Sequence, residues 1–459
     1  MRIAIVGGGI AALAAARRLE RLLPRGDIVL VERERRLGGK LLTERVGGFV
    51  VEGAPDSFLS RKERGIGLCT ELGLGGELIA RRPGMGGTFV RRGGELHPLP
   101  EGLSGMIPTH LEALSGSGLL SPAGRERVAA EIDLPPAPPG ADESIAAFIT
   151  RRFGDEAYRM LVEPIMTGIF GGNGDRLSLA ATFPTLRELE LAHGSVIRGL
   201  LAQPSPGGTE PPFLTLRPGL ATLASRVVEQ LHRTQLLVGR RAVALRCRGG
   251  GYLLELDGGD TLPADAAVLA LPAHVTAEVV AGLDGGLAAA HAEIPHASSA
   301  VVTLAYRAEA VGHPLDGYGY VVPRSERTDV LACTWTSSKW EGRAPEGSVL
   351  VRVYAGRSGS RDVATESDAS LVTLATEELD LIGIGGQPVL VRIHRWPRGM
   401  PQYVLGHQER VDRIDAALAG FPGLAVAGAA YHGVGIPDCI ASGEGAAESV
   451  ARTLHAVAR

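Results

Sequence analysis

Apolar residues recur along this chain in two rhythms. Met1–Val6 (MRIAIV) is an almost unbroken apolar run, Gly7-Gly8-Gly9 ends it, and AALAAARRLERLL resumes at helical spacing. That order predicts a buried parallel strand, a glycine turn and a helix, and IVLVE predicts a second strand ending at Glu32. Helical spacing returns in ERGIGLCTELGL and, across about 103–200, in DESIAAFITRRFGDEAYRMLVEPIMTGIF, with Asp142 in the expected cap region and a proline-rich break at LPPAPPGAD. By composition AQPSPGGTEPP should be mobile. FLTLRPGLATLASRVVEQLH reads as strand, turn and helix, and RRAVALRCRGGGYLLELDGGDTLPADAAVLALP as a three-stranded meander followed by a buried strand. AVVTLAY, GYGYVV, VLACTWTS and SVLVRVYAG predict a mixed or antiparallel sheet, with the helix DASLVTLATEELDLIG packed on it. Near the end, GLAVAGA leads to a glycine turn at Gly433–Asp438 and a long helix.

Length and composition narrow the class. A chain of 459 residues exceeds one core and should divide into two or three domains. A formal charge of −4 gives no nucleic-acid footprint. Cys69, Cys247, Cys333 and Cys439 are scattered, which argues against a metal site or a disulfide framework and favours a reducing compartment. No basic region precedes the first apolar run, and no apolar stretch approaches the roughly 20 residues that span a bilayer, so a cytoplasmic protein is expected. The helical segment carries an apolar face whose expected partner is the rest of the protein, with peripheral membrane docking as the alternative.

The chemistry begins at the glycine turn. Gly7 suits the tight turn, Gly9 lets the backbone approach a pyrophosphate, and Ala12 keeps helix and strand close, while the helix N-terminus offers N–H groups to phosphates. Glu32, roughly 20 residues on, is placed to accept hydrogen bonds from ribose hydroxyls. Arg33 to Thr43 (RERRLGGKLLT) adds a second glycine pair with flanking cations. The helix after Gly433–Asp438 would aim its positive end at whatever occupies that turn. His193, His394, His407 and His432 are isolated in sequence and are expected in core or surface roles.

The LGGK segment resembles the second signature of the FAD-dependent amine oxidase, phytoene desaturase and porphyrinogen oxidase superfamily. EGAPDSFLSRK, LHPLPEGLSGMIPT, MLVEPIMTGIFGGNGDRLSLAATFPTL, ACTWTSSKW, HRWPRGMPQYVLGH and GVGIPDCIASGEGAAE resemble a narrower group, the bacterial coproporphyrinogen III and protoporphyrinogen oxidases of haem biosynthesis. The resemblance runs the length of the chain. It implies an α/β fold with α+β elements: a discontinuous Rossmann-like FAD domain (1–80, 212–275, 396–459), a mixed-sheet substrate domain (81–102, 276–395) and an inserted helical domain (103–200). It implies FAD along Gly7, Gly8, Gly9, Ile10, Ala11, Ala12, Glu32, Arg33, Gly39, Lys40 and the Ala54-Pro55-Asp56-Ser57 loop, with Val243 at the adenine end. Trp396, Val434, Gly435 and Ile436 would lie at the flavin. Lys62 would meet a propionate, and Gly168 and Ile169 would face the pyrroles, the Gly168 carbonyl orienting their N–H groups. Arg176 and Arg395 are further propionate candidates by charge alone.

The implied reaction is a six-electron oxidation of coproporphyrinogen III to coproporphyrin III, with dioxygen as acceptor, peroxide as by-product and ferrochelatase as a possible handover partner. Protoporphyrinogen IX is the alternative substrate. A sister amine oxidase, a carotenoid desaturase and a non-catalytic carrier are the other readings; intact Gly7, Gly9 and Glu32 disfavour the carrier. No resident metal is expected. Ala11-Ala12, Ala54 and Thr88 depart from the pattern of the relatives, and Thr88 stands where plant and animal relatives carry an arginine.

Overall fold

A computed structural model describes residues 1–203 and 211–457. The first apolar run is a strand, Arg2–Val6, at the centre of a five-stranded parallel sheet. Its neighbours are Asp27–Glu32 and Ala266–Leu269, with Thr234–Val238 and Leu424–Val426 at the edges. Such strands are apolar throughout because both faces are covered. One face carries the first helix, Ile10–Leu22, and the last, Ile436–Val457, together with Glu63–Glu71 and Ala221–Glu229. The meander, Ala242–Arg248, Gly251–Leu256 and Thr261–Ala264, covers the other face with helices Ala273–Val280, Gly285–Ala292 and His407–Leu418.

The first and last helices meet closely. A Cβ on Gly443 would come within 2.0 Å of the Ala11 carbonyl oxygen, so only glycine allows this crossing.

A second, seven-stranded sheet runs in the order Leu390–Pro401, His296–Arg307, Ser348–Ala355, Val330–Trp335, Gly319–Val321, Thr88–Arg92, Glu95–Pro98. All pairs are antiparallel except Gly319–Val321 with Thr88–Arg92. The helix Asp368–Asp380 packs on one face. The helical segment builds its own core from residues such as Phe148, Ile149, Leu161 and Met166. Its helix Glu163–Phe170 follows a π-helical turn, Tyr158–Val162, a feature often found beside functional sites.

Several boundaries differ from the sequence reading. The division expected at 275/276 falls inside the helix Ala273–Val280, whose core is that of the parallel sheet, so the second sheet's segment starts near His296. The division at 395/396 falls inside the strand Leu390–Pro401. The helix expected after Asp142 is capped by Ser144, whose hydroxyl accepts the Ala147 N–H; Asp142 instead accepts the Ala180 N–H at 3.2 Å. Of the stretch AQPSPGGTEPP, residues 204–210 lie outside the described residues.

Candidate active site

The two glycine segments interlock at the carboxyl end of the parallel sheet. Gly7 sits at φ +109°, and a Cβ there would be 2.4 Å from the Ala270 carbonyl oxygen. The Gly38 N–H donates to the Gly8 carbonyl at 2.8 Å, Gly9 pairs with Gly38, and a Cβ on Gly39 would lie 2.9 Å from the Gly9 Cα. Gly8 is hemmed in by Leu37 and Glu32. Gly9, by contrast, caps the first helix with no side-chain bond, and a Cβ there would meet nothing within 4 Å. Free N–H groups of Ile10, Ala11 and Ala12 at a helix start facing open space are what a phosphate group needs. Glu32 keeps one carboxylate oxygen on the Glu34 N–H at 2.8 Å, and Arg33 pairs with Glu34 at 3.2 Å. Val243 is an exposed residue at a bulge in the meander.

Lys40 is accessible, yet protein surrounds it closely enough that desolvation lowers its pKa, the signature of a side chain inside a deep cleft. Cys439 shares that cleft, its thiol pushed up to about 11, chiefly by burial. His274 and His296 face each other there with ring centres 4.7 Å apart. Burial first, then His274, brings the His296 pKa down to about 4. Neither histidine stood out in the sequence, since a lone histidine carries no spacing signal.

The Ala54–Ser57 loop is tied to the second sheet. Asp56 is buried and accepts hydrogen bonds from Ser57 Oγ at 2.7 Å, Lys339 Nζ at 3.0 Å and Trp340 Nε1 at 3.1 Å, with Arg352 3.8 Å away. Burial alone would raise its pKa, but Lys339 and Arg352 outweigh it and hold the carboxyl well below the usual range. Arg352 also donates to the Ala54 carbonyl at 2.5 Å. The Asp56 carboxylate is therefore engaged by protein groups. Trp396, in the edge strand Leu390–Pro401 of the second sheet, donates from Nε1 to the Gly53 carbonyl at 2.9 Å and so sits against the same loop.

Val434, Gly435 and Ile436 lead into the last helix. Its N-terminus is not wholly free, because Asp438 accepts the Gly435 N–H at 3.1 Å. Asp438 also pairs with Lys62 at 2.6 Å. Lys62 thus comes to the site already neutralised, a partner 376 residues away that sequence spacing could not reveal. Gly168 and Ile169 occupy the last turn of Glu163–Phe170 and are exposed. The Gly171 N–H takes the Thr167 carbonyl at 2.7 Å and Gln402 Nε2 takes that of Phe170 at 2.8 Å; among the described residues the carbonyls between them receive no such bond. Of the two arginine candidates, Arg395 is occupied by Asp368 at 2.6 Å, whereas Arg176 makes no ion pair among the described residues. His394 bonds Glu44 and His407 bonds the Tyr431 carbonyl, both structural roles. Among the described residues there is no cluster of metal ligands and no helix long and apolar enough to cross a membrane.

Residues 10–451 match the family of flavin-containing amine oxidoreductases. The chain is 36% identical to a coproporphyrinogen III oxidase of Bacillus subtilis (strain 168), covering 97% of this chain and 96% of that protein. It is 34% identical to a coproporphyrinogen III oxidase of Propionibacterium freudenreichii, over 98% and 90% of the two chains. A solved structure of a candidate protoporphyrinogen oxidase from Exiguobacterium sp. 255-15 superposes with a TM-score of 0.88 at 33% identity, covering 98% of both chains.

Proposed function

The chain belongs to the flavin-containing amine oxidoreductase family, and from that premise we propose that it is an FAD-dependent oxidase converting coproporphyrinogen III to coproporphyrin III. The single observation that carries this reading is the likeness to the Bacillus subtilis enzyme along nearly all of both chains. The cleft fits the cofactor: an uncapped helix start faces open space at Gly9, where any larger residue would fill it. In this reading Gly7–Ala12 hold the pyrophosphate, Glu32 the ribose, and Lys40, Ala54, Trp396 and Val434–Ile436 line the flavin end.

Bound FAD supplies the removal of a hydride from a saturated carbon and the passage of its electrons to dioxygen. The protein's own task is then placement. A meso carbon between two pyrroles is already a good hydride donor, so holding it in register supplies most of what catalysis needs, up to about 7–11 kcal/mol in well-oriented systems. Gly168 and Ile169 offer last-turn carbonyls, unpaired among the described residues, to pyrrole N–H groups, and the exposed Ile169 side chain offers apolar surface to a macrocycle. Lys62 meets a propionate by exchanging its Asp438 partner for the substrate carboxylate.

The test is direct. Purified protein loaded with FAD should turn over coproporphyrinogen III anaerobically prepared and then aerated, giving porphyrin fluorescence and three peroxides per porphyrin. The name of the Exiguobacterium neighbour favours protoporphyrinogen IX as the second candidate, so turnover is compared on both. Flavin bleaching by neither substrate would reject the proposal.

A further inference from the structure

Behind the Gly168 helix lies a cavity of about 180 Å³ that the sequence reading did not foresee. It is lined by Asn173, Arg176, His296, Ser358 and Gln402, with apolar residues between them and no carboxylate. Its volume equals the share of roughly six waters, room for a short arm and far too little for a tetrapyrrole. The walls are well fixed: Ser358 N–H donates to the Gly171 carbonyl at 2.8 Å, Leu405 N–H to the Arg176 carbonyl at 2.8 Å, and Gln402 Nε2 to Phe170. Arg176 is exposed, and its guanidinium has no ion pair or hydrogen bond among the described residues, so its charge is open to a carboxylate that enters the cavity.

The placement of the cavity matters as much as its lining. The turn Gly433–Asp438 is held at one end by Asp438, which pairs with Lys62, and at the other by the Gly433 N–H donating to the Tyr403 hydroxyl at 2.8 Å. Tyr403 stands between Gln402 and Val404, both of which line the cavity. The segment that bounds the Arg176 cavity thus also anchors the Gly433 end of the turn whose Asp438 end holds Lys62. Resting on the proposed function, we infer that Arg176 and its cavity form a second carboxylate subsite that receives a propionate arm of the substrate on the side away from Lys62. The chemistry of the two candidate substrates gives this subsite its meaning. Coproporphyrinogen III carries a propionate on every ring and can fill both ends at once. Protoporphyrinogen IX carries two on adjacent rings, one edge of the macrocycle, and can fill one end only. Arg176 is thus a specificity-determining residue for the four-propionate substrate.

The products themselves are usable probes: coproporphyrin III and protoporphyrin IX binding to the FAD-loaded protein, read by fluorescence, together with steady-state kinetics. R176A should weaken coproporphyrin III binding roughly tenfold or more, the usual weight of one charged hydrogen-bonded contact, and raise KM with kcat near the wild-type value. R176K should keep part of the affinity, R176E should lose more than R176A, and protoporphyrin IX should be affected least. Unchanged coproporphyrin III affinity in R176A and R176E, or equal losses for both porphyrins, would overturn the inference while leaving the functional reading in place. Wild-type protein that binds neither porphyrin would overturn both.

Discussion

At the scale of single residues, the side chains with long-range partners behave least as their sequence neighbours suggest. Lys62 reads as an isolated cation, yet Asp438 neutralises it. Such a half-exposed pair is worth at most about 1 kcal/mol, so Lys62→Ala should leave the melting temperature within a few degrees of wild type. Its effect should appear as a raised KM for coproporphyrinogen, with a smaller change in kcat. His296 gives a pH-dependent expectation. Its folded pKa of about 4 lies below the ordinary 6.5, so between those values the unfolded chain takes a proton that the folded one refuses. The stability held above pH 6.5 is accordingly lost as pH falls toward 4. His296→Gln should flatten the melting temperature across that window, and an unchanged slope would place the effect elsewhere. The meeting of the two glycine segments beside Glu32 was legible because it follows from local spacing. His274, His296 and Asp438 were not, since their significance arises from which strands and turns fold against one another.

At the scale of elements, periodicity did well wherever one face or both faces are uniformly covered. The first strand and helix, the three-stranded meander and the Asp368–Asp380 helix all follow from apolar spacing. It failed at Leu390–Pro401, a strand of 12 residues carrying four arginine and histidine side chains, two prolines and a glycine among them, and thus no clean alternation. That strand is held by register with His296–Arg307 instead. Phe213–Leu216 was read as a strand, but its partners Phe58–Leu59 and Leu78–Ala80 were missed for a related reason, because strands of two or three residues are too short to show a period. Helix packing offers a sharper expectation. The close crossing of the first and last helices depends on Gly443, because any Cβ there would collide with the Ala11 carbonyl. Gly443→Ala should cost about 1–3 kcal/mol by overpacking and weaken FAD retention, read by denaturant unfolding and by flavin release on dilution. Full FAD occupancy in that variant would show that the crossing does not shape the cofactor cleft.

At the scale of the molecule, the buried Asp56 carboxylate helps fasten the second sheet to the rest, beside the Arg343–Glu52 pair and the Trp396–Gly53 hydrogen bond. Asp56 follows the first two strands of the parallel sheet in sequence, while Lys339, Trp340 and Arg352 belong to the second sheet and its adjoining helix. Removing the charge leaves two cations without their partner in a buried setting, so Asp56→Asn should destabilise the protein by about 3–5 kcal/mol. Calorimetry should also show a less cooperative transition if the clasp couples the two sheets. The order of the chain imposes a further consequence on how this protein is made. The strand Leu424–Val426 completes the parallel sheet and Gly443 covers Ala11, so the loop built by the first dozen residues stays open until more than four hundred others have left the ribosome. Vectorial synthesis therefore cannot finish the nucleotide cradle early, and the nascent chain must wait for its tail before it can capture FAD.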